Sequence, residues 1–234
     1  MFDIETYLNS LPEDIEEIDV SHKGITSLDV TRFKNLKILH CEYNRLTSLH
    51  LNDNLEKLCC SVNQLTSLHL NEKLERLSCF NNQLTSLHLN ENLKFAYCLS
   101  NQLTSLHLND KLETLACSFN QLTSLRLNEN LHTLYCYSNN LIYLHLNKKL
   151  KSIDYNDNPI YEIINSNDKD IINQKLRVLN QFRYLYYSLK YKKQLRDWLW
   201  VKIREPKIRE KYSHDYLLKN LQEDTDLDVL LDNW

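Results

Sequence analysis

The 234-residue chain contains one glycine, Gly24, and three prolines. A single glycine excludes the GxGxxG and GxxxxGK[ST] loops, which need several glycines to bring backbone against a phosphate. It also leaves the turns to Asn, Asp, Ser and Lys. The sequence has no HExxH, so the helical zinc-hydrolase signature is excluded. It has no run of about 18 apolar residues, so no membrane span is expected. Residues 1–20 lack a basic segment followed by an apolar run, so no signal peptide is expected. Charge of one sign is also lacking. The formal net charge is −3, which gives no general reason for a nucleic-acid partner. Only two Ala occur beside abundant Asn, Lys, Ile and Tyr, a bias of AT-rich coding rather than of structure.

What is present is a repeat. Hydrophobic residues make up 42% and charged residues 25%, the balance of a globular chain. Asn recurs at Asn44, Asn63, Asn82, Asn101, Asn120, Asn139 and Asn158, in steps of 19 residues. One unit runs from Leu74 through Leu77, Cys79, Asn82, Leu84, Leu87 and Leu89, and Leu93 begins the next. Leu77 and Cys79 alternate with Ser78 and Phe80, as strand residues do, so the first pair points inward. Asn82 is suited to turn the chain, because its amide can satisfy backbone groups that a tight turn leaves unpartnered. Leu84, Leu87 and Leu89 bring the return path back over the core. One unit cannot bury its apolar face alone; stacked units can.

The segments LERLSCFNNQLTSLHLN (74–90) and LETLACSFNQLTSLRLN (112–128) resemble the leucine-rich repeat family, in a short bacterial-type form with Cys at the sixth position. The resemblance covers about residues 15–163. It implies a leucine-rich repeat solenoid, an α/β-class horseshoe that is mainly parallel β, followed by a C-terminal all-α segment. Nineteen residues are fewer than the usual ~20–29, which leaves little room for a convex helix, so extended or turn-like backs are expected. Ala96 stands where other units have Leu, and that layer should be thinner. Bacterial leucine-rich-repeat effectors can carry a ubiquitin ligase domain with a catalytic Cys. No Cys follows Cys136 here, which closes that route. No catalytic constellation is visible, and a non-enzymatic chain is expected.

Six of the seven Cys occupy one repeat position: Cys41, Cys60, Cys79, Cys98, Cys117 and Cys136. They predict a buried column of free thiols in a reducing, cytoplasmic setting. A zinc cluster needs four ligands converging on one point, whereas this column spreads them at ~4.8 Å steps along a line. Cys59 is the odd one and should face outward on the concave side. A second column, His50, His69, His88, His107, Arg126 and His145, lies on the return path and reads as a solvated stripe. The permanent cation of Arg126 disfavours a shared metal. Neither a metal centre nor a cofactor is expected.

On the concave face the outward positions hold Ile38, Tyr43, Val62, Phe80, Phe95, Tyr97, Leu99, Phe119, Tyr135 and Tyr137. A face that only meets water has no need of so many large apolar side chains. Such patches mark contact sites, and aromatics are enriched at binding hot spots. The expected function is therefore a protein–protein interaction module holding a protein partner on that face.

Residues 1–14 are expected to cap the array, with Phe2, Ile4, Tyr7 and Leu8 on a short helix. Residues 15–165 form eight repeats, and 166–234 a helical region. Ile172, Leu176, Leu179, Phe182, Tyr186 and Leu189 recur at helical spacing. A second helix is expected around Leu195, Trp198, Leu199 and Ile203. A cap is expected at Ser213, and a capping box from Thr225 to Asp228. Residues 169–219 carry 14 Lys and Arg against five Asp and Glu, and residues 220–234 carry five acids and no base. This charge distribution fits a helical cap on the array whose acidic tail folds back over it, and, as the alternative, a two-site adaptor whose basic helices recruit a second protein or nucleic acid. The run 191–221 also resembles C-terminal segments of repeat proteins from giant DNA viruses. That likeness implies a viral protein acting in a host cytoplasm.

Overall fold

The structure is a computed structural model that describes residues 2–166 and 168–190. The helix expected around Leu195 to Ile203, the Ser213 cap and the Thr225–Asp228 box lie outside the described residues. The chain divides into two compact units, residues 1–176 and 177–234.

Helix α1 spans Ile4–Asn9. Asp3 caps it by accepting the Thr6 N–H at 3.1 Å, and Leu8 is its buried residue. Twelve three-residue strands follow: β1 (Glu17–Asp19), β2 (Ser27–Asp29), β3 (Ile38–His40), β4 (Ser48–His50), β5 (Lys57–Cys59) and β6 (Arg76–Ser78). The remaining six are β7 (Phe95–Tyr97), β8 (Thr114–Ala116), β9 (Ser124–Arg126), β10 (Thr133–Tyr135), β11 (Tyr143–His145) and β12 (Ser152–Asp154). Eight of them form one parallel sheet in the order β1-β3-β5-β6-β7-β8-β10-β12. Register follows the repeat, so Arg76, Leu77 and Ser78 pair with Phe95, Ala96 and Tyr97.

The middle residue of each sheet strand points inward. Leu39, Leu58, Ala96, Leu115 and Leu134 are all fully buried. The backs are extended or turn-like, as expected of so short a unit. They pair only as β2 with β4 and as β9 with β11. One expectation is corrected there. The second return-path leucine, Leu51, Leu70, Leu89, Leu108 or Leu146, is half-buried rather than core.

The interior is built from two polar ladders and a thiol column. Asn63 shows how the first ladder works. Its Oδ1 accepts the Leu46 N–H at 2.9 Å, and its Nδ2 donates to the Cys41 carbonyl at 2.9 Å and the Cys60 carbonyl at 3.0 Å. Asn82, Asn101, Asn120, Asn139 and Asn158 repeat this pattern. Each Asn therefore satisfies one buried donor and two buried acceptors that short turns would otherwise leave bare. A second ladder, Asn52, Asn71, Asn90, Asn109, Asn128 and Asn147, ties the far side of each unit to the previous one. Asn71, for example, donates to the Asn52 carbonyl at 3.0 Å and the Leu55 carbonyl at 2.9 Å. The sequence reading overlooked this ladder, although its 19-residue recurrence was visible.

The six column cysteines are fully buried and free. Burial holds their thiols protonated, pushing Cys98 up to about 12. At the last strand Tyr155 replaces Cys. It is also buried, and its hydroxyl donates to the Ser166 carbonyl at 2.6 Å. Its ring meets Tyr161 edge-on at 5.2 Å. Helix α2 (Pro159–Ile164) starts there, with Pro159 in its first turn and Asn165 closing it in the left-handed conformation. The repeat register, carried on from Tyr155, Asn158 and Ile160, predicts an inward Ile163, and the helix corrects this. The helical period buries Ile160 and Ile164 and leaves Ile163 61% exposed. Helix α3 spans Lys169–Lys190, with Ile172 and Leu176 buried. None of the described helices is long and apolar enough to cross a membrane.

Candidate functional site

The outer face of the eight-stranded sheet is organised in columns, because parallel register stacks equivalent positions of successive units. The third position of each unit gives Ile38, Lys57, Arg76, Phe95, Thr114 and Thr133. The fifth gives Asp19, His40, Cys59, Ser78, Tyr97, Ala116, Tyr135 and Asp154. These flank the buried central residue and lean outward.

The ten expected site residues fall into three sets. Ile38, Phe95, Tyr97 and Tyr135 lie on strands β3, β7 and β10. Phe80, Leu99 and Tyr137 lie two residues past strand ends and are half-buried. Tyr43, Val62 and Phe119 lie one residue further, in a turn where the backbone is left-handed, with φ of 55°, 56° and 53°.

Strict alternation therefore stops before this last position. The same conformation recurs at His22, Asn81, Ser100, Ser138 and Asp157. With no glycine at these turns, side chains are forced into a region that bulky residues disfavour. The signal in the sequence was the residue before each ladder position, where His22, Asn81 and Asp157 are of the types that tolerate this conformation best.

Contacts between the columns are specific. The Arg76 guanidinium sits over the Phe95 ring at 4.6 Å. Phe119 meets Tyr137 edge-on at 5.0 Å, and Tyr43 stacks on His22 at 4.4 Å. Along the fifth column Ala116 lies between Tyr97 and Tyr135, and its side chain is buried while both rings stay exposed. Two tyrosines thus stand two strand spacings apart, about 9–10 Å, over a methyl-sized step. Beside them a shallow cavity of ≈ 210 Å³ is lined by Lys57, Cys59, Arg76, Ser78, Phe95 and Tyr97. Charged pairs flank this surface, Glu75 with Lys94 and Glu16 with Lys37, each at 2.9 Å. Both pairs are largely solvated, so they set local charge rather than stability.

The arrangement offers aromatic area, a cation–π pair and isolated charges, the chemistry of recognition by contact. The return-path histidines lie on the other side of each unit. His50, His69, His88, His107 and His145 are all exposed.

No protein-family model matches the sequence, and no curated protein matches it. Solved structures do. YopM from Yersinia enterocolitica WA-314 is 26% identical over 60% of this chain and 35% of its own, with a TM-score of 0.52. The leucine-rich repeat domain of APL1B is 20% identical over 66% of this chain and 52% of its own, with a TM-score of 0.53. The functional domain of InlJ from Listeria monocytogenes, which includes a cysteine ladder, is 28% identical over 62% of this chain and 44% of its own, with a TM-score of 0.44. The chain spans about a third to a half of the length of these structures. Its fold is a parallel β-sheet solenoid that matches leucine-rich repeat proteins.

Proposed function

We propose that this chain is a non-enzymatic protein-interaction module that holds a protein partner on the concave face of its eight-stranded sheet. One observation carries the reading. Among the described residues, the exposed aromatics are Tyr43, Tyr97, Phe119 and Tyr135, and all four lie on or beside that face. Exposed rings are the usual anchors of protein interfaces, since they supply large contact area at low entropic cost. The likeness to leucine-rich repeat proteins supports the same reading. Tyr97 and Tyr135, with the step at Ala116 between them, form the central anchor. Phe95 with Arg76, and Phe119 with Tyr137, extend it on either side.

The double substitution Tyr97→Ala, Phe119→Ala tests this. Partner capture from the producing cell should weaken by at least ~30-fold in affinity, with a near-native thermal midpoint. Unchanged capture by a folded double variant moves the site elsewhere. The two-site adaptor with basic C-terminal helices, for protein or nucleic acid, rests on residues 169–219, mostly outside the described residues. A steep salt dependence of binding would favour nucleic acid there.

A further inference from the structure

At the first units of the sheet the outward columns change character. The fifth-position column runs Asp19, His40, Cys59, and the seventh position beside His40 is Glu42. Parallel register makes His40 and Cys59 direct neighbours across β3 and β5. Glu42 lies two residues beyond His40 on the same side. The carboxylate of Glu42 lies 3.5 Å from His40 Nδ1. Among the described residues, His40, Glu42 and Cys59 are the one set of three whose His, Cys and carboxylate ligand atoms all lie within 4.8 Å of one another. All three are half-buried, so an ion can reach them while the protein excludes part of its water shell.

We propose that His40 Nδ1, Glu42 and the Cys59 thiolate form a binding site for a divalent transition-metal ion of the zinc class. One imidazole, one carboxylate and one thiolate are the donors that class prefers. Bonds of about 2.0–2.3 Å to a tetrahedral ion place its ligands about 3.3–3.7 Å apart. The 3.5 Å edge between His40 and Glu42 already has that length. The Cys59 sulfur lies within 4.8 Å of both other ligand atoms, so closing the site needs only a local movement.

The surroundings fit as well. The Ser21 hydroxyl donates to the second Glu42 oxygen at 3.0 Å and orients the carboxylate. On the far side of the ring, His40 Nε2 faces Glu17 at 3.7 Å. A metal on Nδ1 leaves the ring proton on Nε2, where it points at Glu17 in the carboxylate–histidine–metal arrangement. Lys57 Nζ, half-buried and 3.5 Å from the same Nε2, gives up that contact when the proton sits on Nε2. The ion displaces the thiol proton to solvent, as coordinating cations do. Three protein ligands leave a fourth position to water. The proposal is independent of the partner-binding reading, because it needs no partner.

The test is a cobalt(II) titration of the full chain, reduced with a phosphine rather than a thiol, followed by zinc competition. One equivalent should bind and produce a thiolate-to-cobalt charge-transfer band, which zinc abolishes. Cys59→Ser should remove the band. Glu42→Gln and His40→Ala should each weaken binding at least tenfold, with far-ultraviolet circular dichroism unchanged. His88→Ala should leave both band and affinity as in the wild type. Absence of the band at millimolar cobalt overturns the proposal, and so does a band that survives Cys59→Ser. Binding without a thiolate band that is lost on His88→Ala also overturns it and assigns the metal to the return-path histidines. If Cys59→Ser fails to fold, the His40→Ala and Glu42→Gln titrations decide alone.

Discussion

The interior columns of this array and the columns on its sheet face are built from the same units, yet they follow opposite rules. Inside, the same residue is repeated: Cys six times, and Asn in two ladders. On the face, most steps bring a different residue: Ile38, Lys57, Arg76, Phe95 and Thr114 follow one another before Thr133 repeats. The interior repeats because each layer presents the next with identical backbone groups and identical space. The face has no such constraint from its neighbours. The return path is the useful third case, since His50, His69, His88 and His107 repeat although they are exposed. Repetition therefore does not prove burial. A surface that only meets water can keep whatever the repeat supplies, whereas a surface that meets a partner is free to vary.

The largest expected effect strikes the interior alone. The column thiols are held protonated by burial well above their ordinary value of 9.0, Cys98 up to about 12. In the unfolded chain they ionise near 9.0, while the folded chain keeps its protons. Stability from this column is therefore complete below about pH 9 and is lost as pH rises toward the folded values. Over this range the six thiols ionise only in the unfolded chain, so their losses act together. The array should unfold cooperatively between about pH 9 and 11 in a circular-dichroism titration. A melting midpoint flat to pH 11 would refute the buried column.

Next in size is the Asn ladder. Asn82→Ala leaves the Leu65 N–H without its partner and removes one of two donors from the Cys60 and Cys79 carbonyls, which Asn63 and Asn101 still hold. At about 1–3 kcal/mol for one stranded buried donor, the loss is roughly 1–3 kcal/mol in denaturant unfolding. A cost under about 1 kcal/mol would mean that water replaces the amide freely.

A smaller effect of opposite sign belongs to the turns beside the face. Val62 is β-branched with φ at 56°. Val62→Gly should stabilise the array by about 1 kcal/mol, because glycine adopts that conformation without strain. Destabilisation would show that packing of the valine outweighs its backbone. Smallest of all, His88→Ala should stay within about ±0.5 kcal/mol, as for any exposed residue without a special role.

The fold was legible because its signals are periodic. The 19-residue recurrence of Leu, Cys and Asn predicts the strand, its inward residues and the turn, and the structure has all three. The legibility ended where periodicity stopped being of period two. Tyr43, Val62 and Phe119 were expected on the sheet by counting alternately from Leu and Cys, but the left-handed turn carries them past it. Ile163 was expected inside by the repeat, but a helix starting at Pro159 imposes a different period. The second Asn ladder hid among residues that read as ordinary solvent-facing side chains. The proximity of His40, Glu42 and Cys59 was invisible as a motif, because it joins two units through register rather than through spacing along the chain.

The proposed function assigns recognition to the varied face and not to the repeated one. The direct measurement compares partner affinity for two folded double variants, Tyr97→Ala with Tyr135→Ala on the sheet, and His88→Ala with His107→Ala on the return path. The account predicts a loss of at least ~30-fold for the first and less than about twofold for the second. Equal affinity for the first and wild type, or a larger loss for the histidine pair, would contradict it.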